Sequence, residues 1–124
     1  EAERGQQEPC VRVGNLDALR DYSDVRDIVA AYRLLLERGA SGATYNVCSG
    51  EARSIGSILQ ELVRQSRTRI EVRVEAARFE PTPPDRAALV GDPRQLRALG
   101  WTPRYALSAT LGDLLDFWRS NPAA

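Results

Sequence analysis

The order of elements between residues 11 and 66 constrains the fold more than any other feature of this sequence. The segment "CVRVGN" (10–15) alternates apolar and polar residues and predicts a short strand that ends at Gly14. The segment "ATYNVCSG" (43–50) is β-rich and mostly uncharged, which is typical of a strand covered on both faces. A helical pattern follows each of them. This strand–helix–strand–helix order predicts an α/β fold with a parallel sheet.

Both helices carry clear start signals. Residues 24–38 predict a helix with Ser23 or Asp24 as its N-cap and Gly39 as its end. Ser54 is the predicted N-cap of the second helix. The apolar positions that follow the helical period are Val25, Ile28, Val29, Tyr32, Leu35 and Leu36 in the first helix, and Ile55, Ile58, Leu59, Leu62 and Val63 in the second.

The second half of the chain predicts smaller elements. Residues 70–75 alternate strictly between apolar and charged side chains and predict a strand with one solvated face. Residues 87–91 predict a short strand. The proline-rich residues 80–85 between them exclude regular structure. Residues 92–100 predict a helix with Asp92 as cap, Pro93 at its first position and Gly100 as its end, and a last helix spans residues 108–119. Its predicted buried residues are Leu111, Leu114, Leu115 and Trp118.

Composition excludes several classes of function. The 17 acidic and 17 basic residues balance, which argues against a general binder of nucleic acid or membrane surfaces. The chain has no histidine and no lysine, and its two cysteines lack metal-ligand spacing, so we expect no metal site and reduced thiols in the cytoplasm. Residues 1–4 resemble the tail of a helix, and no methionine is present. We therefore expect the chain to be a fragment of a larger protein.

Arg20, in the stretch "GNLDALRD", is the main candidate for binding a ligand. It follows the first predicted strand and precedes a helix N-terminus, where a guanidinium and the helix dipole could receive an anion such as a diphosphate. The alternative is a surface ion pair with Asp21, Asp24 or Asp27, and spacing alone leaves both open. Capping and first-turn placement suffice to explain Asp24 and Asp27.

Other candidate anion contacts are weaker. Arg78 and Arg86 flank the proline segment and could reach the same anion, but a solvated loop charge is the favoured interpretation. Gly50, ahead of the second helix, could belong to a phosphate-binding turn, although an ordinary connection is favoured.

Three stretches together resemble the carboxyl-terminal part of extended short-chain dehydrogenases/reductases: "VGNLDALRDYSDVRDIVAAYRLLLERG", "TYNVCSGEARSIGSIL" and "LVGDPRQLRALGWTPRYALSATLGDLLDFWR". The motif "GNLDA" points to the GDP-sugar branch, that of GDP-mannose 4,6-dehydratase and GDP-4-keto-6-deoxymannose reductase. The resemblance implies the last strands and helices of a Rossmann-type NAD(P) domain in residues 1–66. It also implies part of a smaller sugar-nucleotide-binding subdomain in residues 67–124.

The resemblance also implies roles for particular residues. Arg20 matches the arginine that holds the diphosphate in relatives, and Asn15 and Leu16 match a loop near the nucleotide. Asp85 matches an acidic position of a further segment, where Thr82 stands in place of a second diphosphate-binding arginine; Arg78 is then the candidate for that contact. The family's glycine-rich cofactor turn and its Tyr-x-x-x-Lys catalytic set map onto no residue of this chain.

These matches predict the nucleotide-sugar-binding portion of an NAD- or NADP-dependent GDP-sugar reductase or dehydratase. The isolated chain would be inactive, and its partners would be a GDP-sugar, the missing amino-terminal Rossmann half and further copies of the chain. Two alternatives remain: a non-catalytic binding or structural remnant, and a fragment of a UDP- or dTDP-sugar epimerase or dehydratase.

Overall fold

The computed structural model describes residues 1–78 and 88–121. Its α-helices are α1 (Val25–Arg38), α2 (Ile55–Gln65), α3 (Arg94–Ala98) and α4 (Leu107–Ser120), and 3₁₀ turns cover Ala2–Arg4 and Ala76–Arg78. The strands are β1 (Cys10–Val13), β2 (Leu19–Asp21), β3 (Ala52–Ser54), β4 (Glu71–Val74) and β5 (Ala88–Leu89).

The described strands form two small sheets. In one, β1 runs parallel to β4 with Cys10 opposite Glu71. In the other, β2 is the middle strand, antiparallel to β3 and parallel to β5. The predicted α/β class is confirmed. Both parallel pairs join residues from either side of position 66, and the division of the chain into two domains there stays a prediction.

The N-caps of α1 and α2 are confirmed. The carboxylate of Asp24 accepts a hydrogen bond of 2.8 Å from the backbone N–H of Arg26, and the hydroxyl of Ser54 accepts one of 3.0 Å from that of Ser57. Each helix therefore begins one residue after its cap. Helix α3 begins at Arg94, one residue later than expected, although Asp92 still accepts the N–H of Arg94 at 3.0 Å.

The predicted strand over residues 43–50 is wrong. In the described part of the chain, the backbone of residues 44–48 takes part in no backbone–backbone hydrogen bond, and β3 instead begins at Ala52. A strand exists only beside a partner, and both edges of the middle strand β2 are occupied by β3 and β5. Residues 43–50 pair with none of the five described strands, so the local pattern predicted a strand that finds no partner among them.

The buried core is small. Ala31, Leu96 and Trp101 form it, with Leu34, Leu35 and Val47 packed against them. In α4 only Leu111 is buried, so the expectation of buried Leu114 and Trp118 is wrong. These two side chains are about half exposed, because the elements described here cover only part of the helix surface.

Helix α1 turns an apolar stripe outward. Val25, Val29, Tyr32 and Leu36 lie on one face of the helix at positions i, i+4, i+7 and i+11, and between 56% and 91% of each residue is exposed. The inward side carries Asp27 and Ala31. An exposed apolar stripe of this length is typical of a surface that another polypeptide covers.

We expect the chain to self-associate through the α1 stripe, since water contact with four large apolar side chains is unfavourable. Replacing Val29 and Leu36 together by lysine should shift the chain towards monomer in sedimentation equilibrium without lowering its urea midpoint, because both side chains are exposed. Gln60→Lys on the exposed side of α2 is the matched control. A wild-type chain that sediments as a clean monomer would contradict this prediction.

Glu3 ties the amino end to the ends of two helices. Its carboxylate accepts hydrogen bonds from Arg119 at 2.7 and 2.8 Å, from the N–H of Arg67 at 2.8 Å and from the hydroxyl of Ser66 at 3.2 Å. Arg119 also donates to the carbonyl of Gln65 at 3.0 Å. The hydrogen bonds from Arg119, and then that from Arg67, outweigh burial and lower the pKa of Glu3 to about 2.

This lowered pKa predicts how stability depends on pH. A carboxyl group whose pKa falls on folding stabilises the fold above its unfolded pKa, about 4.5, and loses that contribution as pH falls towards 2. Glu3→Gln should therefore lower the free energy of unfolding at neutral pH by about 1.5–3 kcal/mol. The difference from wild type should shrink as urea titrations move from pH 5 to pH 2; a constant difference across that range would contradict the assignment.

Candidate anion-binding site

Arg20 lies inside a strand and not in the turn that the sequence predicted. It is the central residue of β2, and one of its terminal nitrogens donates a hydrogen bond of 2.6 Å to the carbonyl of Leu19. A three-residue strand is too short to show alternation, which is why sequence patterning missed it. The guanidinium therefore projects from the middle of a sheet, with β3 on one side and β5 on the other.

The register places a second arginine directly opposite the first. Arg20 pairs with Arg53 of β3 and lies beside Leu89 of β5. Directly opposed residues of neighbouring strands project from the same face of the sheet. Arg53 and Leu89 are both about half exposed, so this face is open to solvent. Sequence reasoning overlooked Arg53, because only the pairing of β3 with β2 gives it this place.

Asp21 fixes the strand that carries Arg20. Its carboxylate accepts hydrogen bonds from the N–H and hydroxyl of Ser49 at 2.8 and 2.6 Å, from the N–H of Gly50 at 2.9 Å and from that of Gly91 at 3.3 Å. Burial raises the pKa of Asp21, but these hydrogen bonds together lower it by more. The pKa therefore lies below its ordinary value. The charged carboxylate thus joins β2 to the turn before β3 and to the residues after β5.

Asp24 and Asp27 hold the carboxyl-terminal part of the chain. Besides capping α1, Asp24 accepts hydrogen bonds from the guanidinium of Arg26 at 2.8 and 2.7 Å and from the hydroxyl of Thr110 at 2.7 Å. Asp27 accepts the N–H groups of Arg104 and Tyr105 at 3.0 and 3.2 Å. The expectation that capping and first-turn placement explain both is therefore incomplete, because both also make tertiary contacts.

Asn15 and Leu16 lie on the segment between β1 and β2. The side-chain oxygen of Asn15 accepts the N–H of Asp17 at 2.9 Å, and the carbonyl of Leu16 accepts the N–H of Gly56 at 2.9 Å. Both residues line an apolar hollow of about 340 Å³. Its other walls are Val13, Gly14 and the α2 residues Ile55, Ile58, Leu59 and Leu62.

Arg78 lies next to the other end of this segment. Its Nε donates to the carboxylate of Glu75 at 2.7 Å, and it lines a separate hollow of about 520 Å³ with β1 residues. Gly14 packs against the carbonyl of Arg78 so closely that a Cβ would overlap it. Arg20 lines neither hollow. The candidate residues Asp85, Thr82 and Arg86 lie outside the described residues.

The start of α2 is occupied by protein acceptors. The N–H of Ile55 donates to the carbonyl of Ala18 at 3.1 Å, that of Gly56 to Leu16, and that of Ser57 to the hydroxyl of Ser54. These are the donors that a phosphate at the helix N-terminus would need. Protein acceptors already occupy these donors, which favours the interpretation as an ordinary connection over the phosphate-binding turn.

Two general features of the site's surroundings follow from the described residues. Among residues 1–78 and 88–121, no group of three or more His, Cys, Asp or Glu side chains could hold a metal ion. In the same two ranges, no helix has the length and apolar character needed to cross a bilayer.

The fold matches that of the epimerase, dehydratase and reductase class of short-chain dehydrogenases. The structure superposes on RMD from Pseudomonas aeruginosa, solved in complex with NADPH, with a TM-score of 0.81 and 30% identity over 96% of this chain. A model of the family described as GDP-mannose 4,6 dehydratase matches residues 1–114. The chain belongs to this family.

Two curated relatives illustrate the range of similarity. The GDP-6-deoxy-D-mannose reductase of Pseudomonas aeruginosa is 32% identical over 95% of this chain. An Arabidopsis thaliana trifunctional UDP-glucose 4,6-dehydratase, epimerase and reductase is 25% identical over 88% of it. The chain spans 38% of the length of the first relative and 16% of the second.

The Asp21 network generates a stability prediction. Asp21→Asn places an amide NH₂ group against the N–H donors of Gly50 and Gly91, so the free energy of unfolding should fall by about 1–3 kcal/mol. Amide hydrogen exchange at Gly50 should quicken, since its N–H loses a charged acceptor. The exposed carboxylate of Asp17 provides the control Asp17→Asn. Equal urea midpoints for the two variants would refute the role assigned to Asp21.

Proposed function

We propose that this chain is the nucleotide-sugar-binding portion of an NAD(P)-dependent GDP-sugar reductase or dehydratase. The observation that carries the proposal is the position of Arg20: a half-buried arginine on a sheet face whose neighbouring residues Arg53 and Leu89 are half exposed, on a strand fixed by Asp21. In this proposal Arg20 holds the diphosphate of the substrate. A fixed guanidinium suits this task, because its planar donors match phosphate oxygens and it stays charged at every physiological pH.

Asn15 and Leu16 are proposed to contact the nucleoside. They line a hollow whose walls are largely apolar side chains, a surface suited to the flat face of a base. Arg78 and Asp85 remain proposed contacts. The backbone of Arg78 packs beside Gly14, the residue before Asn15, while its side chain lines the separate hollow formed with β1.

The chemistry of the parent protein would lie outside this chain. A sequence without lysine cannot supply a Tyr-x-x-x-Lys pair, and it has no glycine-rich dinucleotide turn. We therefore propose that the chain alone is inactive and that its contribution is orientation: it grips the nucleotide so that the hexose reaches the reacting centre. In the parent, NAD or NADP would supply the hydride chemistry, and no residue of this chain is assigned to that cofactor.

The exposed apolar stripe of α1 is evidence that another part of the parent protein packs against this helix. The curated reductase of P. aeruginosa is much longer than this chain, which spans 38% of it. We propose that an amino-terminal Rossmann part covers the stripe in the full-length enzyme and that the enzyme forms homo-oligomers in the cytoplasm.

A UDP-sugar substrate is the second candidate. The UDP-glucose 4,6-dehydratase of A. thaliana shows similarity over most of this chain, and a diphosphate contact by Arg20 would serve either nucleotide. The base therefore discriminates between the two, and the diphosphate does not.

Isothermal titration of the chain with GDP, UDP and dTDP tests the proposal. We expect GDP to bind most tightly of the three. Arg20→Ala should weaken GDP binding by about 10- to 150-fold, because a hydrogen bond to a charged group is lost. The control is Arg64→Ala, which removes an exposed arginine paired with Glu61 on α2.

Each outcome has a distinct meaning. Tighter binding of UDP than of GDP would favour the second candidate. Equal GDP affinities of wild type and Arg20→Ala would remove the diphosphate role of Arg20. A chain that binds none of the three nucleotides would contradict the proposed function as a whole.

A further inference from the structure

We propose that Arg53 is the second guanidinium of the diphosphate site, and that Arg20 and Arg53 grip the two phosphates together from neighbouring strands. The inference rests on the proposed function, because it extends the site of Arg20. It assigns a ligand-binding role to a residue that the sequence motifs do not indicate. Arg53 also lines a small hollow of about 90 Å³ beside Tyr22, Ser49 and Glu51.

The pairing register carries the argument. Arg20 and Arg53 are directly opposed in the antiparallel pair of β2 and β3. Opposed residues have Cβ atoms roughly 5 Å apart and share a face, and like charges in this relation are destabilising. A sheet that places two guanidiniums side by side gains stability when an anion lies between them. A diphosphate offers oxygens on two adjacent phosphorus atoms, so each guanidinium can serve one phosphate.

The present partner of Arg53 is easily exchanged. Its terminal nitrogen lies 2.7 Å from the carboxylate of Glu51, and the two side chains are 50% and 64% exposed. Ion pairs this exposed contribute little to stability. A diphosphate on the same face can therefore replace Glu51 as the partner of Arg53. The negative charge of Glu51 would then oppose the incoming phosphate.

The backbone that carries Arg53 is well fixed. Strand β3 is hydrogen-bonded to β2, and the next residue, Ser54, caps α2. The N–H groups of Ile55 and Gly56 bind the carbonyls of Ala18 and Leu16. Little backbone entropy therefore remains to be lost when an anion binds.

The other strongly charged places in the described part of the chain are clusters of ion pairs. The Glu3–Arg119 cluster and the Arg26–Asp24–Asp113 cluster already balance each arginine with carboxylates at about 2.7 Å. Arg33 is likewise paired with Glu37 within one helix. In the part of the chain that the structure describes, two strand pairs oppose two arginines: β2–β3 with Arg20 and Arg53, and β1–β4 with Arg12 and Arg73.

Arg12 and Arg73 form the comparable pair in the other sheet and supply the control. They are register partners in β1 and β4, but Glu8, Glu71 and Glu75 surround them at 2.7 to 3.9 Å. Within β4, Glu71 pairs with Arg73 two residues on, just as Glu51 pairs with Arg53. The two sheets thus present the same local Glu-x-Arg arrangement, and only that of β3 lies beside Arg20.

Titration of the 124-residue chain with GDP and with inorganic pyrophosphate tests the proposal. Arg53→Gln should weaken the binding of both ligands by about 10-fold or more, because a charged hydrogen bond is lost. Glu51→Gln should tighten both by about 2- to 5-fold, because it removes a competing carboxylate. Arg73→Gln and Glu71→Gln are the matched controls and should leave both affinities unchanged.

The outcomes separate this proposal from the one it extends. If Arg20→Ala weakens GDP while Arg53→Gln and Glu51→Gln leave it unchanged, the role of Arg53 is overturned and that of Arg20 stands. If wild type binds neither GDP nor pyrophosphate, both proposals fail. Tighter binding by Glu51→Gln supports the contact only together with weaker binding by Arg53→Gln, because removing a carboxylate from this face strengthens anion binding at Arg20 as well. Equal urea midpoints of the variants exclude loss of folding as the cause.

Discussion

Three aspartates spaced three residues apart hold this structure together. Asp21 accepts hydrogen bonds from the N–H groups of Ser49, Gly50 and Gly91. Asp24 accepts them from the guanidinium of Arg26 and the hydroxyl of Thr110. Asp27 accepts them from the N–H groups of Arg104 and Tyr105. Each carboxylate reaches a segment at least 28 positions away. Because the buried apolar core is small, these charged hydrogen bonds decide where the turn before β3, the residues after β5 and the start of α4 lie.

This arrangement also explains why the proposed site can be rigid in a chain with so little core. The carboxylate of Asp21 fixes the strand on which Arg20 lies, and the side chains of neighbouring residues in a strand point to opposite faces. One residue therefore fastens the strand while its neighbour, in our proposal, faces the ligand. The apolar stripe of α1 is left outward, and in our proposal the rest of the parent enzyme covers it.

Local signals in the sequence predicted the local parts of the fold. The caps Asp24 and Ser54 and the extents of α1 and α4 follow from side-chain chemistry within a few residues, and the structure confirms them to within one residue. The strand predicted over residues 43–50 failed because strand formation depends on a partner elsewhere in the chain. For the same reason the sequence could not show that Asp27 binds residues 77 and 78 positions away.

The candidate site likewise contains residues that the sequence indicated and residues that only the structure shows. A motif resemblance singled out Arg20, Asn15 and Leu16, whereas Arg53 became visible only through the register of β3 on β2. The Asp21 network was hidden as well, since an aspartate ahead of a helix reads locally as a capping residue. Residues whose role depends on non-local pairing need the structure.

A crystal structure of the chain grown with GDP tests the central claim most directly. The account predicts diphosphate density on the sheet face that carries Arg20 and Arg53, with guanidinium nitrogens at about 2.7–2.9 Å from phosphate oxygens. The guanosine would extend towards the hollow lined by Asn15 and Leu16. GDP bound at another surface, with that sheet face empty, would contradict the account.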